Sequence, residues 1–160
     1  ARTPGAEIAV VNGGGLRAGL PAGTLTYGDV LAVLPFGNTL ATLTIRGGAL
    51  RAALENGLSR LPAPAGRFPQ LAGLRLTFDP AAPPGRRLRE VRTAEGPLDP
   101  DRAYRVVTNN FMRGGGDGYG VLGEALEAYD DGPLMEEVVA DHLQARGPVA
   151  PVLDGRIGRG

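Results

Sequence analysis

The stretch Asn109-Asn110-Phe111-Met112-Arg113-Gly114-Gly115-Gly116-Asp117-Gly118-Tyr119 follows directly on Tyr104–Thr108, a β-rich run that reads as a strand. Four glycines surround one carboxylate, with an aromatic residue at each end. Glycine lets the backbone take positive φ and approach another molecule closely. Backbone N–H groups in such a loop can point at an anion or a ligand edge. Taken alone, Gly-Gly-Gly-Asp-Gly is also a tight polar surface turn, since Gly and Asp are turn residues. Two further glycine-bearing segments carry the parts that would complete a site.

The first lies upstream. Glu7–Val11 reads as a buried strand and ends in Asn12-Gly13-Gly14-Gly15-Leu16-Arg17. Asn12 and Arg17 thus stand at the carboxyl end of a strand, where α/β sheets bind ligands. The second is Leu34-Pro35-Phe36-Gly37-Asn38. An aromatic residue in a Gly/Pro loop offers an exposed stacking surface, unless it folds back onto the core. A short helix precedes it. Thr26 is its N-cap, Asp29 the acidic partner of a capping pair, and Val30, Leu31 and Val33 its body. It stops ahead of Pro35, which disfavours helix at the preceding residue.

The remaining chain alternates strands and helices. Thr39–Ile45 reads as a strand, and Gly48–Leu61 as an amphipathic helix carrying Leu50, Ala53, Leu54, Leu58 and Leu61. Phe68–Leu71 and Leu74–Phe78 read as a pair of short strands around Ala72-Gly73. Arg86–Arg92 reads as an exposed or edge strand whose arginines form a solvated face. Val121–Tyr129 and Leu134–Ala145 read as helices. His142, the sole histidine, falls in the last turn of the second, where the helix dipole favours it. The expected fold class is α+β: one domain over 1–160, a mixed sheet flanked by helices, with the ligand loops gathered at one edge.

Composition narrows the partners. The 160 residues balance 17 basic against 17 acidic side chains, which argues against nucleic acid or an anionic membrane as the main partner. Every basic residue is Arg, and there is no Cys, so neither a disulfide framework nor a thiolate metal site exists. Gly and Pro make up a quarter of the chain, yet the apolar runs remain periodic, as in a loop-rich globular domain. No apolar run has the length of a membrane span. The opening Ala1-Arg2-Thr3-Pro4 carries no signal-peptide pattern. The first strand follows almost at once, as in a piece of a longer protein.

Together the three loops offer Asn12, Arg17, Phe36, Asn38, Phe111 and Asp117. Two aromatic rings can sandwich a planar heterocycle, each stack being worth about 1–3 kcal/mol. Asn can read the donor and acceptor edges of a base. A carboxylate accepts both hydroxyls of a ribose, and Arg meets phosphate bidentately. The set matches a nucleoside or nucleotide. It does not match chemistry on the phosphate, because a two-metal site needs several carboxylate, His or Asn ligands close together. No nucleophile–base arrangement and no P-loop are visible. The residues describe a binding domain that needs a catalytic partner.

Three ordered motifs carry a family resemblance: Asn-Gly-Gly-Gly-Leu-Arg (12–17), Thr-Tyr-Gly-Asp-Val-Leu-Ala-Val-Leu-Pro-Phe-Gly-Asn (26–38) and Asn-Asn-Phe-Met-Arg-Gly-Gly-Gly-Asp-Gly-Tyr (109–119). They closely resemble the C-terminal domain of the 5'-nucleotidase and UDP-sugar hydrolase family, and the similarity extends to the Gly85-Arg86 turn and the closing Gly155-Arg156-Ile157. The resemblance implies a nucleoside-binding domain that delivers the phosphate to an N-terminal metallophosphoesterase domain holding two divalent metal ions. That domain is absent from this chain, so the chain alone is expected to be inactive. It implies stacking by Phe36 and Phe111, ribose binding by Asp117, phosphate contact by Arg17, and base contacts at Asn12 and Asn38. It also implies a location outside the cytoplasm, periplasmic, secreted or on the cell envelope. Relatives acting on 2',3'-cyclic nucleotides, a thiosulfohydrolase of the same plan, and a non-catalytic module of an envelope assembly stay open as alternatives.

Overall fold

The computed structural model describes residues 5–160, so Ala1–Pro4, on which no signal-peptide pattern is read, lie outside the described residues. The described chain is α+β. Its elements run β1 (Ile8–Asn12), α1 (Tyr27–Val33), β2 (Leu40–Arg46), α2 (Gly47–Leu58), β3 (Pro69–Ala72), β4 (Arg75–Phe78), β5 (Leu88–Thr93), β6 (Gly96–Pro97), β7 (Ala103–Asn109), α3 (Asn110–Arg113), β8 (Glu127–Tyr129), α4 (Met135–Arg146) and β9 (Ile157–Arg159). Among the described residues, two sheets form rather than the expected one. The larger has five strands in the order β3-β1-β7-β2-β8, and the smaller has four in the order β6-β5-β4-β9. Both are mixed: β1 runs parallel to β7, and β4 parallel to β9.

α2 sits where the two sheets meet. Its spacing puts Leu50, Ala53, Leu54 and Leu58 on one buried stripe. That stripe joins Ile8, Val10, Leu43, Ile45 and Val106 of the larger sheet to Leu76, Phe78, Leu88 and Val91 of the smaller in one core cluster. α1 begins as its sequence dictates, since Thr26 and Asp29 form a reciprocal capping box.

Four further expectations are corrected. β3 and β4 do not pair with each other; β3 pairs with β1, and β4 with β5 and β9. The chain crosses between sheets at Gly73, whose φ is 76° and whose added Cβ would sit 2.1 Å from the Glu7 carbonyl oxygen. Only glycine fits there. Residues 121–129 are not a helix: a 3₁₀ turn over Gly120–Glu124 leads into β8, which extends the sheet beside β2. β9 forms in the Pro/Gly-rich tail, where no strand is read from the sequence, and lies against β4.

The fourth correction concerns Arg87. β5 lies inside the smaller sheet's order, although β6 covers only its last two residues. Arg86, Arg89 and Arg92 are exposed as expected, but Arg87 is buried. Its Nε donates to the Ala82 carbonyl at 2.9 Å, and its guanidinium donates to the carbonyls of Leu58 and, at 2.7 Å, Leu61. These are carbonyls at and just past the end of α2, where a helix leaves acceptors unpaired and a cation is favoured.

Candidate functional site

The parallel pair β1 and β7 ends at one edge of the larger sheet, and the glycine loops begin there. Along β1, Ile8, Val10 and Asn12 fall on one face by the two-residue period, so Asn12 is carried to the buried side. Asn109, the last residue of β7, is buried beside it. The Asn109 side-chain oxygen accepts from the Met112 N–H at 2.8 Å and so caps α3. Its amide donates to Asn12 Oδ1 at 3.1 Å, and Asn12 Nδ2 donates to Asp117 Oδ2 at 2.8 Å. A chain of three side chains thus connects both strand ends to the carboxylate in the Gly loop.

Asp117 is held from several sides. Its carbonyl accepts from Asn56 Nδ2 at 3.1 Å, and Asn56 Oδ1 accepts from Arg67 at 3.1 Å. Its backbone has φ 55°, the sole non-glycine positive φ among the described residues. Left-handed backbone costs about 1–2 kcal/mol for an ordinary residue, and Asp tolerates it better than most. Strain of this kind persists where the surroundings over-determine it, and it clusters at ligand sites. Tyr119 completes the support. Burial first, and then the Asp117 carboxylate, push its hydroxyl well above the usual tyrosine range. It stays protonated and donates to the Arg67 carbonyl at 2.6 Å.

The loops are stitched together through the backbone. Gly13 and Gly14 N–H groups donate to the carbonyls of Phe68 and Gly66 at 2.7 and 2.8 Å, and Arg17 N–H donates to Val33 at the end of α1 at 2.9 Å. Thr39 and Asn110 exchange two bonds: Asn110 N–H donates to the Thr39 carbonyl at 3.0 Å, and Thr39 N–H donates to Asn110 Oδ1 at 3.2 Å. This joins the Phe36 loop to the residue before Phe111, so both phenylalanines stand at the same edge.

Phe36 is 59% exposed, not folded back onto the core, and Phe111 is 46% exposed. In α3 the next residue, Met112, turns inward and is fully buried, which leaves Phe111 facing out. The two rings form no stacked pair; the aromatic pair among the described residues is Phe68–Phe78. The Phe111 ring rests on Gly116, where an added Cβ would come within 2.5 Å of it. Glycine at that position is what lets the ring lie against the loop.

A cleft at this edge is walled by Asn12, Leu34, Phe36, Asn38, Asn109 and Glu136, among others. Of the expected residues, Asn12, Phe36 and Asn38 line it, while Phe111 and Asp117 do not. Asp117 is joined to the cleft through Asn12. Arg17 lies outside its lining and is exposed, with a long 3.4 Å contact to the Gly14 carbonyl. Sequence reading missed Asn56, which bonds the Asp117 backbone carbonyl, Arg67, which bonds Asn56, and Asn109, which bonds Asn12, and it missed Glu136, which is buried on the cleft wall. Asn109 carried a legible signal, an Asn directly after a strand and before an apolar turn. The other three carried none. Among the described residues, no group of three or more His, Cys, Asp or Glu side chains could hold a metal ion. Within them, no helix is long and apolar enough to cross a membrane.

Comparison with known proteins agrees with this architecture. The family described as 5'-nucleotidase, C-terminal domain, matches residues 1–124. The trifunctional nucleotide phosphoesterase protein YfkN of Bacillus subtilis is 44% identical over 96% of this chain and 11% of its own length. The crystal structure of a 5'-nucleotidase precursor from Thermus thermophilus superposes with a TM-score of 0.93 at 46% identity, covering 98% of this chain and 32% of that one. The Haemophilus influenzae NAD nucleotidase superposes at 0.87 with 26% identity, covering 97% and 30%. The chain therefore spans about a tenth of the first relative and about a third of the other two. Its two mixed sheets, its linked glycine loops and its matched sequence all place it in one group: the chain belongs to the 5'-nucleotidase family, as a C-terminal domain.

Proposed function

We propose that this domain binds the nucleoside part of a nucleotide and presents its phosphate to a metallophosphoesterase domain elsewhere in the protein. The observation that carries this reading is the pair of exposed phenylalanines, Phe36 and Phe111, on backbone-linked loops beside a strained, fully braced Asp117. A base stacks on the rings. The Asp117 carboxylate takes the ribose hydroxyls, and Asn12 keeps it oriented. Asn38 contacts the base, and Arg17, exposed at the outer side of its loop, meets the phosphate. Asn12 gives an amide N–H to Asp117 and its oxygen to Asn109, so it contacts a base only with what remains.

Hydrolysis belongs to the N-terminal domain of the whole protein, where two divalent metal ions would polarise the phosphate and activate water. No cluster among the described residues here suits such ions, and no catalytic step is assigned to this chain. The whole protein is then an extracytoplasmic 5'-nucleotidase, and the isolated chain hydrolyses nothing. A wider range of phosphoesters, cyclic nucleotides included, is a second reading; 44% identity to a protein described as a trifunctional nucleotide phosphoesterase supports it.

Calorimetric titration of the chain with adenosine and AMP tests the binding role. Saturable binding that is lost in both Phe36→Ala and Phe111→Ala is the expected result. Binding that survives both substitutions contradicts it.

A further inference from the structure

The Asp117 carboxylate leans on Asn12, while its backbone leans on two residues to which the binding role assigns nothing. Asn56 lies in α2, and Arg67 lies just before β3. Arg67 only donates, so its bonds at 3.1 Å to Asn56 Oδ1 and to Ser59 Oγ fix which way the Asn56 amide faces. The amide oxygen is turned to Arg67, and Nδ2 is left to donate to the Asp117 carbonyl at 3.1 Å. That carbonyl belongs to the residue with φ 55° and ψ 22°. The turn lies directly on the pair: a Cβ added at Gly118 would come within 2.8 Å of Asn56 Oδ1 and 3.3 Å of an Arg67 guanidinium nitrogen. α2 comes this close because Gly57 has no side chain; a Cβ there would meet the Tyr119 hydroxyl at 2.7 Å.

Left-handed backbone is disfavoured for a residue with a Cβ, so the surroundings must hold Asp117 there. Any relaxation of its φ and ψ swings the Cα–Cβ bond and the carboxylate with it. Oδ2 accepts from Asn12 at 2.8 Å. Oδ1 accepts from no described residue, and it is not among the oxygens sealed from solvent without a partner. It is therefore the atom that can accept from a sugar hydroxyl, and its aim depends on the backbone beneath it. The Asn56 amide faces Arg67 and the Asp117 carbonyl, so Asn56 acts through Asp117. Resting on the nucleoside-binding reading above, we infer that Asn56, oriented by Arg67, is a positioning residue for ribose recognition: it holds the Asp117 backbone left-handed and so aims the carboxylate at the sugar hydroxyls.

The test is calorimetric titration of the chain with adenosine and with 2',3'-dideoxyadenosine, which keeps the base and lacks both hydroxyls. The variants are Asn56→Asp and Arg67→Met. Asp keeps the size of Asn and an acceptor for Arg67, and removes the N–H donor to the Asp117 carbonyl. The parent should bind adenosine about tenfold more tightly than the dideoxy compound. Asn56→Asp should weaken adenosine about tenfold and leave dideoxyadenosine within about twofold, so the preference for the hydroxyls disappears. Arg67→Met should act in the same direction, by about threefold. Equal weakening of both nucleosides in Asn56→Asp marks a merely structural role, and weakening of neither marks no role; each overturns the assignment while the nucleoside site stands. If Asn56→Asp does not fold by circular dichroism, Arg67→Met decides on the same criterion, and unfolding of both variants marks the pair as structural and overturns it. A parent without preference shows that Asp117 does not read the ribose, and the assignment falls. A parent that binds neither nucleoside removes the underlying site reading, and this assignment with it.

Discussion

Two buried charges in this domain are treated in opposite ways. Arg87 lies under the smaller sheet with its guanidinium placed on the carbonyls of Leu58, Leu61 and Ala82, while the Glu55 carboxylate accepts from the backbone N–H groups of Arg87 and Leu88. Glu136 lies on the cleft wall with an oxygen that nothing meets. The first charge closes the end of a helix, and every group around it has a partner. The second is enclosed on the cleft wall without a partner for that oxygen. Burial alone therefore does not tell how a charged side chain is satisfied; the state of its partners does.

Removing Arg87 should have the largest effect on stability. Arg87→Met leaves carbonyls at the end of α2 unpaired, with an expected loss of about 3 kcal/mol. The midpoint of thermal unfolding should fall by about 10 °C. A change within a degree or two would show that solvent already satisfies those carbonyls. At the cleft the order reverses. Phe36→Ala and Phe111→Ala should each weaken nucleoside binding by about 1–3 kcal/mol while leaving the melting midpoint nearly unchanged, since both rings are largely exposed. Gly116→Ala should act through Phe111, because its Cβ meets the ring. Weaker binding, at a smaller cost than deleting the ring, is its expected result by calorimetry.

The smallest effect belongs to the closing latch. Arg156 ties the tail to the Leu71 carbonyl at 2.7 Å and pairs with Asp154. Its guanidinium holds the Asp154 carboxyl at about 2. The folded value is below the ordinary one, so this contribution is present above about pH 4 and is lost as pH falls through about 2. Asp154→Asn should flatten stability over that acid window and change little at neutral pH, as read by melting across a pH series. An unchanged acid profile would remove Asp154 from the account.

The same contrast separates what could be read in the sequence from what could not. α1 was legible because its signal is local: Thr26 and Asp29 cap it and Pro35 follows. α2 was legible from the period of its leucines. β8 was not, because all three of its residues are exposed and it exists through pairing with β2. β9 likewise depends on β4. Arg87 reads as a surface arginine because nothing near it in sequence reveals the helix end it meets, 29 residues away at Leu58. At the cleft, the glycine motifs marked the loops and six candidate residues. Asn56, Arg67 and Glu136 reach the site only through the fold, from α2, the segment before β3 and α4, and carry no motif of their own.

The most direct measurement is an AMP titration of the isotopically labelled chain, read by backbone amide chemical shifts. Saturable shifts at Gly13–Gly15, Gly37–Thr39 and Gly114–Gly118, with the Asp154 and Arg156 amides of the latch unmoved, are the expected result. Shifts centred on the latch, or none anywhere at saturating AMP, would contradict the central claim that the glycine-loop edge is a nucleotide site.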